Sequence, residues 1–147
     1  KSYTKYVNAG AKTSSYVFPV KGKTFSKFTK NGSTFSLSTP ITGNTVLNCV
    51  YVNTPKPAKA KVKFTAQKKK VKLALTKIKN CVGYEIKYAN NKKMKKAKTK
   101  TTTAKTYTIK KLKSKKKVYI QVKGYNYDSA GQKVYSSRVL KKTVKVK

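Results

Sequence analysis

From residue 59 onward, apolar and polar side chains alternate with period two, run after run. Val62, Phe64 and Ala66 fall on one side of an extended chain, and Lys61, Lys63 and Thr65 on the other. Val71, Leu73 and Leu75 form the next apolar set, opposite Lys70, Lys72 and Ala74. Tyr84, Ile86 and Tyr88 mark a third strand, and Tyr107 and Ile109, followed by Leu112, a later one. Val118, Ile120 and Val122 alternate with outward Lys117, Tyr119, Gln121 and Lys123, and Val144 with Val146 closes the series. Successive side chains of a strand point to opposite faces, so this period marks strands buried on one side only. Asn90 to Thr106 reads as a lysine-rich connection containing a short edge strand near Lys98 to Thr102, where lysines deter edge-to-edge pairing. Seven short strands separated by turns predict a two-sheet sandwich.

The first 55 residues follow another pattern, rich in Ser, Thr, Gly and Phe. Tyr16-Val17-Phe18 is a short apolar run, Lys21-Gly22-Lys23 a turn, and Phe25 and Phe28 follow. Asn31-Gly32 is the strongest hairpin signal, since both residues tolerate positive φ. Phe35 and Leu37 alternate after it, Ile41 to Asn44 turns the chain, and Thr45 to Val52 reads as a strand. These signals predict a small β-rich module. Pro55 and Pro57 stiffen the chain that follows. The boundary therefore falls there, with a module over residues 1–55 and a sandwich over residues 56–147.

Charge changes the picture most. Lys and Arg number 38 against two acids, a net charge of +36 on 147 residues. Every basic residue except Arg138 is lysine. Such a surface repels itself, and counterions, salt or a polyanionic partner must compensate. Catalysis has little to work with. Histidine is absent, so no Ser-His or Cys-His pair exists. Glu85 and Asp128 come from different stretches, whereas glycoside hydrolysis needs a matched carboxylate pair. Glu85 alternates with inward tyrosines and so faces solvent among lysines. Two cysteines cannot build a four-ligand metal cluster where histidine is absent and acids nearly so, and no cofactor motif is present; the chain does not read as an enzyme. Cys49 and Cys81 permit one disulfide at most, and their spacing favours two separate, partly buried thiols. No apolar run reaches the roughly 20 residues that span a bilayer, and Lys1 to Tyr6 lacks the apolar stretch of a signal peptide.

Residues 59–147 resemble a fibronectin type III domain of the lysine-rich subtype found in surface and secreted proteins of Gram-positive bacteria. The stretches that carry the likeness are Val82 to Ala89, Asn91 to Ala97, Tyr107 to Leu112, Lys117 to Tyr125 and Val144 to Lys147. Two departures stand out. Leu75 occupies the place of a core tryptophan, and Val118 that of a corner tyrosine, with Tyr119 one step late. Both imply lower stability through lost aromatic volume and a lost loop-tying hydroxyl. Residues 15–52 resemble the Listeria-Bacteroides repeat, a small β-grasp-like module of bacterial surface proteins, through Gly32 to Leu47, with Phe28 and Tyr51 at usual tryptophan positions.

The resemblance and the charge together imply a non-catalytic module that is extracellular or associated with the cell wall. Its expected partners are anionic wall or surface polymers. The candidate contacts are the lysine clusters: Lys68, Lys69 and Lys70; Lys92, Lys93, Lys95, Lys96 and Lys98; and Lys110, Lys111, Lys113, Lys115, Lys116 and Lys117. A charge run is ordinarily a solvated face, but ordinary solubility uses mixed signs. Two alternatives stay open. One is structural or adhesive contact with another protein or a second copy. The other is non-specific nucleic-acid binding, in which Tyr119, Tyr125 and Tyr127 would stack on bases.

Overall fold

The computed structural model describes residues 8, 10–12 and 17–147. Two compact units emerge. One comprises the described residues up to Thr54 together with Tyr127–Gln132, and the other Pro55–Asn126 with Lys133–Lys147. The first unit is therefore not contiguous in sequence. No helix occurs among the described residues.

The first unit is built on three antiparallel strands, β1 (Lys23–Lys30), β2 (Ser33–Phe35) and β3 (Asn48–Asn53), in the order β2-β1-β3. Asn31 at φ 48° and Gly32 at φ 81° make the tight turn between β1 and β2. Phe25 and Phe28 are three apart, so strict alternation would send them to opposite faces. A bulge between Phe25 and Lys27 shifts the register. The two rings then meet with centroids 4.7 Å apart, and Tyr51 stands edge-on to Phe25 at 6.1 Å. The strand expected from Thr45 begins only at Asn48, and Leu37 lies beyond the end of β2. Thr45 to Leu47 find no ladder partner, which leaves Val46 77 % exposed. Tyr16, which opens the first expected apolar run, lies outside the described residues, and Val17 and Phe18 carry no strand pairing.

The loop Tyr127–Gln132 completes this unit through Asp128 and Ser129. The Asp128 carboxylate accepts the Gly22 N–H at 2.7 Å, and those of Gln132 and Ala130 at 2.8 and 2.9 Å. The Ser129 hydroxyl accepts from the Val20 N–H and donates to its carbonyl, both at 3.0 Å. The Ser129 N–H donates to Lys23. The Gly22 N–H holds the Asp128 carboxyl below the ordinary carboxylate pKa; burial opposes this, while the Gln132 and Ala130 N–H groups and Lys21 add to it.

The second unit is the sandwich. One sheet is β4 (Lys61–Gln67), β5 (Lys70–Thr76) and β8 (Thr106–Ile109), in that order. The other runs from β7 (Lys98–Thr102) through β6 (Gly83–Ala89) to β9 (Lys117–Tyr127). Both β10 (Lys133–Tyr135) and β11 (Leu140–Lys145) pair with β9; β11 is the expected last strand, begun earlier at Leu140 and ended before Val146, and β10 is an eighth strand where none was expected. The edge strand at Lys98 to Thr102 is present with the expected bounds. The apolar set read from the alternation forms the core. Leu73, Ile86, Ile109, Ile120, Val71, Val118 and Val122 are almost wholly buried, and Val62, Phe64, Tyr88, Tyr107 and Val144 pack around them. Leu75 and Val118, at the two departure positions, are both core residues. The Tyr84 hydroxyl donates to the Thr76 carbonyl and fastens a different loop, the connection between β5 and β6.

Candidate functional site

Antiparallel connectivity sends alternate connections to opposite ends of the sandwich. The β4–β5 turn, the β6–β7 connection and the β8–β9 connection share one end. Register shows this directly: Val71 pairs with Ile109, Ala89 with Tyr119, Tyr88 with Lys98, and Lys117 with Lys145. Every one of the candidate lysines lies on those three connections or at the strand ends that border them, and all are exposed. Lys145 and Lys147 join them from the end of β11. The clusters looked separate in sequence. They are one surface because the lysine runs occupy every second connection.

Backbone hydrogen bonds lace that end together. The Leu112 N–H donates to Lys69, the Lys69 N–H to Lys147, the Lys115 N–H to Val146, and the Val146 N–H to Lys116, at 2.9–3.1 Å. Leu112 is buried and anchors the β8–β9 connection. In the β6–β7 connection the Asn91 side chain clamps Lys95, donating to its carbonyl and accepting its N–H, both at 2.9 Å.

The same backbone is strained. Lys69, Lys96, Lys111 and Lys115 have φ of 54°, 52°, 58° and 61°, and Met94 has φ 54°. The left-handed region crowds Cβ of an L-residue against its carbonyl, at roughly 1–2 kcal/mol per residue, and glycine escapes this. Four lysines therefore stand where stability alone would place glycine. These conformations are not visible in local composition, because they depend on the loops closing against the chain end.

The two acids have structural tasks. Glu85 lies on the outer face of β6, paired with Thr101 and Lys123, and accepts the Tyr135 hydroxyl at 2.7 Å. It is half-buried there, less open than the solvent-facing position expected. Asp128 holds the loop of the first unit, a role signalled in sequence by Asp128-Ser129-Ala130-Gly131, a turn with an Asx start and a glycine end. Lys123 stands 5.7 Å from the Tyr135 ring centre and Lys133 4.6 Å from that of Tyr125, contacts of cation–π type. Tyr125 is buried rather than a stacking platform, because its hydroxyl lies over Gly83, where a Cβ would come within 2.5 Å of it. Cys49 and Cys81 are both half-buried thiols, one in each unit, and Cys81 donates to the Gly83 carbonyl. Among the described residues no three His, Cys, Asp or Glu side chains gather, and no helix is long and apolar enough to cross a membrane.

Two facing sheets in this strand order define an all-β, fibronectin type III-like sandwich. No family model matches the chain, and no curated protein matches it. Among solved structures, the FN1–FN3 domains of chicken CNTN1 are similar at 21 % identity and a TM-score of 0.41, over 74 % of this chain. The chain spans 39 % of that one's length.

Proposed function

We propose that the chain is a non-catalytic, strongly basic module of a bacterial extracellular or wall-associated protein. It attaches through the lysine-bearing end of its sandwich to anionic wall or surface polymers, and spaces or displays other parts. The resemblances to the lysine-rich Gram-positive fibronectin type III subtype and to the Listeria-Bacteroides repeat support that setting. The engagement of Glu85 and Asp128 in structural hydrogen bonds supports a non-catalytic role.

One observation carries the attachment reading: lysine at four left-handed positions on one end. Lysine there adds strain that glycine would remove. What it contributes is charge, on a frame that needs no ordering when a partner arrives. Lysine is a flexible point charge without the fixed fork of arginine, which suits mobile phosphate polymers of the teichoic-acid type.

Retention on purified walls across a salt series tests this. Binding should be tight at low ionic strength, fall steeply with salt and vanish once the phosphate polymers are stripped. Unchanged retention on stripped walls would contradict it. Light scattering in the same series, with and without polyanion, separates the rivals. Assembly in salt alone would mean self-association through an exposed strand edge such as β7. Equal affinity for nucleic acid would mean unspecific charge.

A further inference from the structure

One place on the lysine-bearing end is recessed. Asn90, Lys113, Lys115, Lys116, Lys117 and Tyr119 line an open cleft of about 480 Å³. That lies within the range of small-ligand clefts, ~300–1,000 Å³. One wall is the β8–β9 connection, whose backbone is tied to the chain end through Lys115, Lys116 and Val146. The other contains Tyr119, half-buried on the outer face of β9. Its ladder partners, Ala89 and Thr143, are both small.

We infer that this cleft is a discrete site for one phosphorylated sugar or polyol unit. The inference rests on the attachment reading and names the unit that the attachment grips. Four lysines, Lys113, Lys115, Lys116 and Lys117, line the cleft and would supply the charge-assisted donors that an oxyanion favours. The exposed Asn90 amide both donates and accepts, so it can pair with the hydroxyl groups of a sugar or polyol as well as with the phosphate. The Tyr119 ring offers an apolar face to the carbon skeleton between the phosphates. A single-stranded nucleic acid is the poorer fit, because it needs successive aromatic platforms and the cleft has one ring.

The test pairs two double variants of the full chain. Lys113→Gln/Lys116→Gln alters the cleft, and Lys92→Gln/Lys95→Gln removes the same charge from the same end outside the cleft lining. Binding of poly(glycerol phosphate) is read by fluorescence anisotropy at low salt, and amide shifts are followed by NMR with glycerol phosphate and with inorganic phosphate. The cleft pair should weaken polymer binding by about 25-fold, at about fivefold per lysine in direct contact, and the pair outside the cleft by under about fivefold. Glycerol phosphate should shift the amides of Asn90 and Lys113 to Tyr119 at lower concentration than inorganic phosphate does. Tyr119→Leu should erase that preference and Tyr119→Phe should keep it, with amide dispersion reporting that both are folded. Equal losses from the two pairs would overturn the cleft and leave the diffuse attachment standing. No loss from either pair would overturn the attachment reading itself. Tighter cleft binding by a single-stranded oligonucleotide of equal phosphate content would overturn the sugar or polyol assignment.

Discussion

The two units meet the same steric demand at their turns and answer it with different residues. In the first unit the left-handed positions are held by Gly10, Gly22, Gly32 and Gly131, with Asn31 beside them. In the sandwich no glycine has a positive φ, and Lys69, Asn80, Met94, Lys96, Lys111 and Lys115 take those positions. Glycine is the residue of conformational ease. A turn that uses lysine instead accepts strain and retains a charge. The first unit, with a three-stranded sheet and a borrowed loop, has little stability to spare. The sandwich has a core of almost fully buried Leu73, Ile86, Ile109 and Ile120, and can carry the cost.

That comparison breaks most visibly in the core. Leu73→Ala should cost about 2–5 kcal/mol in urea denaturation, because the site is enclosed on both sheets and cannot collapse. A loss below about 1 kcal/mol would mean that the sandwich is too loosely packed to sustain strained loops.

Exchanging the two solutions sharpens it. Gly32→Lys in the first unit should cost about 1–2 kcal/mol, the left-handed penalty of an L-residue. Lys111→Gly in the sandwich should leave stability unchanged or raise it by up to about 1 kcal/mol, since relief of strain and the greater freedom of unfolded glycine oppose each other. If Lys111→Gly destabilises as much as Gly32→Lys, the lysine is structural, and the contrast between the units has no functional meaning.

Smaller effects come from protons. Asp128 binds its proton less readily in the folded unit than in the unfolded chain. Its contribution is therefore full above the ordinary carboxylate value of 3.8 and is lost as pH falls through and below it. The amides of Gly22, Ala130 and Gln132 should report this in an acid titration. Tyr84 answers at the other extreme. Burial foremost, with the Cys81 thiol adding, pushes its phenol from 10.0 up to about 12. Its contribution is full below pH 10 and should fade as pH rises from there towards 12, followed by tyrosinate absorbance. Tyr84→Phe should flatten that alkaline loss.

Much of the sandwich was legible because each of its strands buries one face and shows the other to water. Period two then reports both the strand and its core residues, as at Val71, Leu73 and Leu75. The edge strand at Lys98 to Thr102 was legible for the opposite reason, as a lysine-laden stretch without apolar alternation. The bulge between Phe25 and Lys27 was not, since register depends on the partner strand. Nor was β10, a strand of only three residues. The candidate lysines were legible as runs, but not as one surface. Their convergence follows from counting connections, every second one returning to the same end. The left-handed lysines and the cleft beside Tyr119 depend on how the loops close against Lys147 and Val146, which local composition does not encode.

We propose that lysine at the left-handed turns serves attachment and not stability. The most direct test compares the salt dependence of polyanion affinity in two quadruple variants. One is Lys69→Gly/Lys96→Gly/Lys111→Gly/Lys115→Gly. The other is Lys61→Gln/Lys63→Gln/Lys72→Gln/Lys87→Gln, on the sheet faces. Each lysine in contact with phosphate contributes about 0.7–0.9 to the slope of log affinity against log salt. The turn variant should stay folded at undiminished stability and lose about 3 from that slope, while the sheet variant loses under about 1. Equal losses from both variants, or an unchanged slope in a folded turn variant, would contradict the account.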